Sequence, residues 1–284
     1  MKIAASSCKS HVSDPVLVFI HMPKTGGMSI LHWLNTAGAS HLNLYENNTH
    51  FVYSEDALAR TLFQSPGVKF LSSHFILTFP PYLAGRRMLY FILLRDPVQQ
   101  FISYVTFIKK TFPTITDPNL LRCLPPDPCS LSSREFAHWL LSQDREDIPF
   151  RENYTVNRLA RQTYLSLLAP AASFDGAAYR AGRLTLAKAV LNQCMAVGLT
   201  EQMDQSVDRL RKIAASQGVD LPPGQVGSDN RSGELRDDLS WIHPSDEVGA
   251  MLLHSLEEDR QLYQWTADRF AADLWSKRAC RQLK

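Results

Sequence analysis

Apolar residues along the chain alternate between two patterns, one typical of buried strands and one typical of helices. Continuous β-branched and aromatic runs, the pattern of strands buried on both faces, occupy residues 16–20, 68–73, 88–94 and 195–199. Apolar residues at helical spacing occupy about 30–38, 96–110, 133–142, 156–168, 200–218 and 245–275. Because the strands alternate with helices, the pattern predicts an α/β fold with a central, mostly parallel sheet flanked by helices.

Residue types at the ends of these segments refine the prediction. Asp96 and Pro97 are typical of an N-cap and a first helical residue, and Thr200 is predicted to cap the helix that follows the fourth strand. The Pro-rich stretch 111–133 predicts a long surface excursion, and residues 221–240 have the composition of a loop. The length of 284 residues allows one or two domains; we expect one, 1–284, with a core over about 15–275.

Composition and charge narrow the class of ligand. The net charge of +2 suits an anionic ligand in one cleft and is too small for the broad basic face of a nucleic-acid-binding protein. None of the five cysteines has zinc-site spacing. Cys123 and Cys129 could pair in an oxidising compartment, but reduced thiols in a cytosolic protein are the favoured interpretation.

The first 14 residues are short and polar, and no run of about 18 apolar residues occurs in the chain. If Met1 is the natural start, we therefore expect a cytoplasmic protein without a membrane partner.

The segment after the first strand predicts an anion-binding turn. A strand, a Gly-bearing turn and a helix start direct backbone N–H groups and the positive end of the helix to one point. Gly26 and Gly27 allow close approach of the anion, Lys24 adds a positive charge, and Thr25 and Ser29 add hydroxyl donors. The alternative is an ordinary strand-to-helix turn.

The order of residues in this turn excludes two common nucleotide sites. A Walker A loop places its lysine after the glycines, whereas Lys24 precedes Gly26 and Gly27, and no G-x-G-x-x-G occurs. NTP hydrolysis and dinucleotide binding are therefore disfavoured.

Two separate motifs resemble those of the sulfotransferases that use 3′-phosphoadenosine 5′-phosphosulfate (PAPS). The run Pro23-Lys24-Thr25-Gly26-Gly27-Met28-Ser29 resembles their 5′-phosphosulfate loop. The segment 94–104 resembles their 3′-phosphate segment, with Arg95, Asp96 and Pro97 after a strand and Ser103 eight residues past the arginine. The resemblance is closest to the branch that contains the heparan and dermatan uronosyl 2-O-sulfotransferases.

Weaker similarities to that branch occur at 69–75, 197–201 and 258–263, so the resemblance spans roughly 16–270. Two departures stand out: Ser73 replaces a glycine common in that branch before the histidine, and 111–150 matches no part of it.

The resemblance implies a fold, a reaction and roles for individual residues. It implies a P-loop-like three-layer fold, PAPS as donor and 3′-phosphoadenosine 5′-phosphate (PAP) as product. We expect no metal, since Lys24 and Arg95 supply the charge and no carboxylate cluster appears in the sequence. Transfer would be to a hydroxyl or, with less support, an amine. The implied nucleotide contacts are residues 23–29, Arg95, Ser103 and Arg231.

Lys24 would stabilise charge on the leaving oxygen, or serve only as a phosphate anchor. His74, which ends the second strand, would be the base that removes the acceptor proton, with a structural role as the alternative. Arg95 could instead form a salt bridge with Asp96, which is itself expected to be a cap, and His21 is expected to shape the turn.

The acceptor stays open between a saccharide or glycan and a small metabolite. The nearest branch favours the former, but Lys109, Lys110 and Arg122 are only a thin basic cluster for a polyanionic glycan. The unmatched excursion 111–150 could line a pocket for a small acceptor. A third alternative is a PAP- or nucleotide-binding protein without catalysis. The oligomeric state is not predicted.

Overall fold

The computed structural model describes residues 13–36, 40–43, 55–74, 79–116, 118–144, 150–167, 176–223, 226 and 238–277. Within these ranges, the strands are β1 Ser13–Ile20, β2 His41–Asn43, β3 Phe70–Ser73, β4 Tyr82–Leu83, β5 Arg86–Leu94 and β6 Ala196–Leu199. They form one sheet in the order β2-β3-β1-β5-β4, and β6 also pairs with β5. All pairs are parallel except the short β4–β5 hairpin. The predicted α/β fold with a mostly parallel sheet is confirmed.

The register of the sheet brings four strand ends to one edge. Ile20 of β1 pairs with Ser73 of β3 and with Ile92 of β5. Leu94 of β5 pairs with Leu199 of β6. The residues that directly follow these strands therefore lie along the same carboxyl edge, where parallel sheets commonly bind ligands.

Helices flank the sheet and supply the rest of the apolar core. They are α1 Gly27–Thr36, α2 Glu55–Gln64, α3 Pro97–Thr111, α4 Pro118–Leu121, α5 Ser133–Leu141, α6 Tyr154–Leu167, α7 Gly176–Gln193, α8 Met203–Ser216, α9 Glu247–Ser255 and α10 Glu257–Ala271. Asp96 caps α3 as predicted, because its carboxylate accepts a hydrogen bond from the Gln99 N–H. None of the helices in the described part of the chain is long and apolar enough to cross a membrane.

The predicted helix over 245–275 is wrong in one respect, because it is two helices. Helix α9 ends at Ser255 and α10 begins at Glu257. The side-chain Oδ1 of Asn153 accepts hydrogen bonds from the N–H groups of Glu258 and Asp259. A distant segment thus caps a helix start inside a continuous apolar pattern.

The predicted surface excursion over 111–133 has a partly buried interior. Cys123 and Leu124 belong to a second apolar cluster that also includes Phe101 of α3 and Phe136 of α5. Cys129 is exposed, and both cysteines are free thiols, in line with the favoured interpretation.

Candidate functional site

The carboxyl edge of the sheet collects four side chains, each directly after its strand. His21 follows β1, His74 follows β3, Arg95 follows β5 and Thr200 follows β6. The rings of His21 and His74 lie 4.0 Å apart between centroids. The structure therefore brings His74, Arg95 and the turn after β1 to one place, as their sequence positions predict.

Five consecutive backbone carbonyls of this turn accept hydrogen bonds, four of them from side chains. The pairs, with donor–acceptor distances, are Thr25 Oγ1 to Met22 O at 2.8 Å, Gln100 Nε2 to Pro23 O at 2.8 Å, Arg95 Nη1 to Lys24 O at 3.1 Å, Thr200 Oγ1 to Thr25 O at 2.8 Å, and Ser29 N to Gly26 O at 3.1 Å. The turn is thus held by side chains from three elements. They are Gln100 of α3, Arg95 after β5 and Thr200 after β6.

These carbonyl contacts determine where the amide groups of the turn point. In a trans peptide the C=O and the N–H point in opposite directions. Holding the carbonyls of Pro23, Lys24 and Thr25 therefore sets the direction of the N–H group that follows each of them in the same peptide. Lys24 and Gly26 adopt left-handed backbone conformations, with φ of 66° and 79°. Such turns before a helix start are typical anion-binding concavities.

The lack of a side chain at Gly27 makes room for a neighbouring ring. A Cβ at this position would lie 2.0 Å from the His21 ring atoms Cδ2 and Nε2. The imidazole of His21 thus occupies the space that a side chain at position 27 would need. His21 is buried and stacks on Phe19, so it shapes the turn as predicted.

Thr25, Ser29 and Met28 of the turn differ in how far they are buried. Thr25 is fully buried, and its hydroxyl donates its hydrogen to Met22 O, so that hydrogen is already used inside the turn. This differs from the expectation that the Thr25 hydroxyl faces the anion. Ser29 is also buried, whereas the side chain of Met28 is 55% exposed.

The ammonium group of Lys24 lies against an aromatic ring of α3. Its Nζ is 4.1 Å from the centroid of Phe107, a cation–π contact. Burial, followed by repulsion from Arg95, lowers the pKa of Lys24 to about 8. Lys24 is therefore a desolvated cation close to a second one, an arrangement that an incoming anion relieves.

His74 has a defined tautomer. Its Nδ1 lies 2.6 Å from the carbonyl oxygen of His21. Because a carbonyl only accepts hydrogen bonds, Nδ1 carries the proton, and in the neutral ring the lone pair is on Nε2. Burial is the largest cause that lowers the pKa of His74 to about 4, and the charges of Arg158 and Lys24 lower it further. His74 is thus neutral near pH 7.

Arg95 lies between the turn and an acidic group on the next strand end. Besides its bond to Lys24 O, it interacts with the charge of Glu201, which raises its pKa against the larger lowering by burial. The Glu201 carboxylate accepts hydrogen bonds from the Asp96 N–H and the Tyr263 hydroxyl, each at 2.9 Å. Glu201 therefore holds the N-cap residue of α3, which directly follows Arg95 in the chain.

Two predicted nucleotide contacts are not tested by this geometry. Ser103 is buried within α3, with 6% of its surface exposed. Arg231 lies outside the described residues. Both stay predictions.

Sequence reasoning missed three residues of this site. The sequence predicts Thr200 as a helix cap, but its hydroxyl binds the carbonyls of Thr25 and Leu94, and a 3-10 turn precedes α8. Its position directly after a buried strand was the available signal. Gln100 and Arg158 offered no comparable signal, because they enter the site from the interior of α3 and from α6.

No known family model matches the chain, and no curated protein matches it. In the described ranges, no group of three or more His, Cys, Asp or Glu side chains is arranged to hold a metal ion.

Proposed function

We propose that this chain transfers the sulfuryl group of PAPS to an acceptor hydroxyl. The observation that best supports the proposal is the hydrogen bond from Arg95 Nη1 to Lys24 O. It joins the two motifs that resemble the 5′- and 3′-phosphate segments of the sulfotransferases, although 71 residues separate them. A backbone turn next to a guanidinium suits a ligand with two separate phosphates, because each group binds one of them.

On the donor side, each group has a distinct task. The N–H groups of the turn and the start of α1 bind the 5′-phosphate, and Arg95 binds the 3′-phosphate with its fork of donors. Lys24 moves from the Phe107 ring to the oxygen that bridges sulfur and the 5′-phosphate. Charge grows on that oxygen as the bond breaks, so the cation stabilises the transition state more than the ground state.

On the acceptor side, His74 removes the proton. The acceptor oxygen forms a bond to sulfur, the bond from sulfur to the bridging oxygen breaks, and the acceptor proton passes to His74 Nε2. The hydrogen bond from Nδ1 to His21 O holds the ring in the tautomer that this step needs. PAP leaves with the bridging oxygen.

The low pKa of His74 fits this role once the donor is bound. Desolvation, Arg158 and Lys24 hold it near 4 in the free protein, below the range of an efficient base at neutral pH. The two phosphates add negative charge close to these cations, which raises the pKa of His74 toward neutrality.

For the acceptor, we propose a small metabolite or a saccharide that binds near Phe107 and the excursion 111–150. Phe107 is 41% exposed beside Lys24. The free thiols Cys123 and Cys129 suit a reducing compartment, and we propose a cytoplasmic location.

The test is incubation of the chain with ³⁵S-labelled PAPS and a panel of glycans and hydroxylated small molecules. The proposal predicts label transfer to at least one class of acceptor. PAP binding without transfer to any acceptor, or to water, would favour a non-catalytic nucleotide-binding protein.

A further inference from the structure

Gln100 lies at the centre of a buried hydrogen-bond chain that leaves the site. Its side chain is 2% exposed. Its Nε2 donates to Pro23 O at 2.8 Å, and its Oε1 accepts from Thr155 Oγ1 at 3.1 Å. Both polar atoms of the Gln100 side chain thus have a hydrogen-bond partner, one in the turn after β1 and one in α6.

Thr155 is itself held by a distant helix. The N–H groups of Thr155 and Val156, in the first turn of α6, donate to the two carboxylate oxygens of Asp259 at 3.1 and 2.7 Å. Asp259 belongs to α10, whose own start is capped by Asn153. The starts of α6 and α10 therefore cap each other, and this pair presents the Thr155 hydroxyl to Gln100.

The contact at Pro23 acts on a strained part of the turn. The Pro23 carbonyl and the Lys24 N–H belong to one planar peptide, so holding the carbonyl sets the direction of that N–H. Lys24 has a φ of 66°, which a non-glycine residue keeps only when its surroundings impose it. Gln100 supplies one such restraint next to the strained residue.

We propose that Gln100 is a positioning residue for the anion-binding turn, with Thr155 as its support. It acts through the Pro23 carbonyl and has no direct contact with the ligand. The inference rests on the proposed function in one respect, because the ligand used to test it is PAP.

The test compares Gln100→Met, Thr155→Val and the double variant with the parent chain. Two quantities are measured: amide hydrogen exchange of residues 24–29 in the ligand-free protein, and the Kd for PAP by calorimetry. Thr266→Val is the matched control, because Thr266 is fully buried and its hydroxyl bonds Leu262 O within its own helix, α10. Exchange in α8 serves as the internal reference for global unfolding.

We expect Gln100→Met to speed exchange in the turn and weaken PAP binding, each by about tenfold, as loss of one buried hydrogen bond allows. Thr155→Val should weaken binding by roughly threefold. The double variant should match Gln100→Met, because Thr155 acts through Gln100. Thr266→Val should lower thermal stability only.

Unchanged exchange and PAP affinity in Gln100→Met would overturn the positioning role. Additive effects of the two substitutions would overturn the support by Thr155. Failure of the parent chain to bind PAP would refute the proposed function alone, because hydrogen exchange in the ligand-free variants still decides the role of Gln100.

Discussion

Arg95 and Lys24 are joined through the backbone rather than through their charges. The guanidinium of Arg95 donates to the carbonyl oxygen of Lys24 at 3.1 Å, while the Lys24 ammonium lies over Phe107. Two cations thus share a half-buried space, and the charge of Arg95 lowers the pKa of Lys24. An incoming anion would relieve the repulsion between these two desolvated cations.

Replacement of Arg95 should mainly affect nucleotide affinity. Arg95→Met removes both the proposed 3′-phosphate donors and the bond to Lys24 O, so we expect the Kd for PAP to rise by more than about tenfold. Arg95→Lys keeps the positive charge but lacks the forked donors of the guanidinium, so its Kd for PAP should lie between those of the parent chain and of Arg95→Met. Arg211→Met, which removes a surface pair with Asp208, is the control. Calorimetry measures the Kd for PAP of each protein and so checks their order. A large loss of turnover with unchanged PAP affinity would contradict the role of Arg95.

Replacement of His74 should separate binding from transfer. His74→Ala removes the proposed base and leaves the turn and Arg95 in place, so transfer should fall by roughly 10²–10⁴-fold while PAP affinity stays within about threefold of the parent. His138→Ala on the exposed face of α5 is the control. Persistent transfer in His74→Ala would show that another group is the base.

The pH dependence of transfer should show the titration of His74. The pKa of about 4 in the free protein means that the ring is neutral above that pH. Bound phosphates raise this pKa, so at saturating PAPS kcat/KM for the acceptor should fall as pH decreases through a value above 4. An acid limb that is identical in His74→Asn would assign the titration to a different group.

PAP binding should weaken on the alkaline side. Lys24 has a pKa of about 8, lowered first by burial and then by Arg95, so it loses its charge as pH rises through that value. The Kd for PAP should therefore increase above about pH 8 in the parent chain. Lys24→Arg stays charged and should show a flatter profile over pH 7–9.5. Equal alkaline slopes in the two proteins would mean that Lys24 does not neutralise the bound phosphate.

Substitutions of Gly27 and His21 should have non-additive effects on the free energy of unfolding. An alanine Cβ at position 27 would lie 2.0 Å from the His21 ring, so Gly27→Ala should destabilise the fold by about 2 kcal/mol or more. His21→Ala removes the ring, and Gly27→Ala in that background should cost much less. Gly182→Ala in α7 is the control, since its added Cβ would meet no described atom within 4 Å beyond the nearby backbone of its own helix. Denaturant unfolding checks this, and additive effects would refute the contact.

Asp259 should make stability depend on pH. Burial, opposed by hydrogen bonds from Val156 and Thr155, raises its pKa from 3.8 to about 7. The folded state then binds more protons than the unfolded state between these values. The stability contribution of Asp259 is therefore greatest below about pH 4 and is lost as pH rises toward 7, by on the order of a few kcal/mol. Asp259→Asn should flatten the unfolding free energy over that window, and an unchanged slope would contradict the assignment.

The sequence predicted the parts of the fold that rest on local patterns. The four apolar runs became β1, β3, β5 and β6, because a strand buried on both faces has few alternatives in sequence. Helix α7 was not predicted, although it spans Gly176–Gln193, because its apolar residues do not follow one clear face. The break at Leu256 was missed because its cap, Asn153, comes from about 100 residues away.

The residues of the site also fall into two groups, those with a local sequence signal and those placed by packing between distant segments. His74 and Arg95 follow their strands directly, so the carboxyl-edge argument located them. The carbonyl contacts of Gln100 and Thr200 depend on how α3 and β6 pack against the turn, at separations of 77 and 175 residues. No local pattern encodes such contacts.

The most direct test of the central claim, one site for a nucleotide with two phosphates, is calorimetric binding of PAP and of adenosine 5′-monophosphate. The account predicts that PAP binds more tightly by at least about tenfold in the parent chain, and that Arg95→Met largely abolishes this difference. Equal affinity for the two nucleotides in the parent chain, or binding of neither, would contradict it.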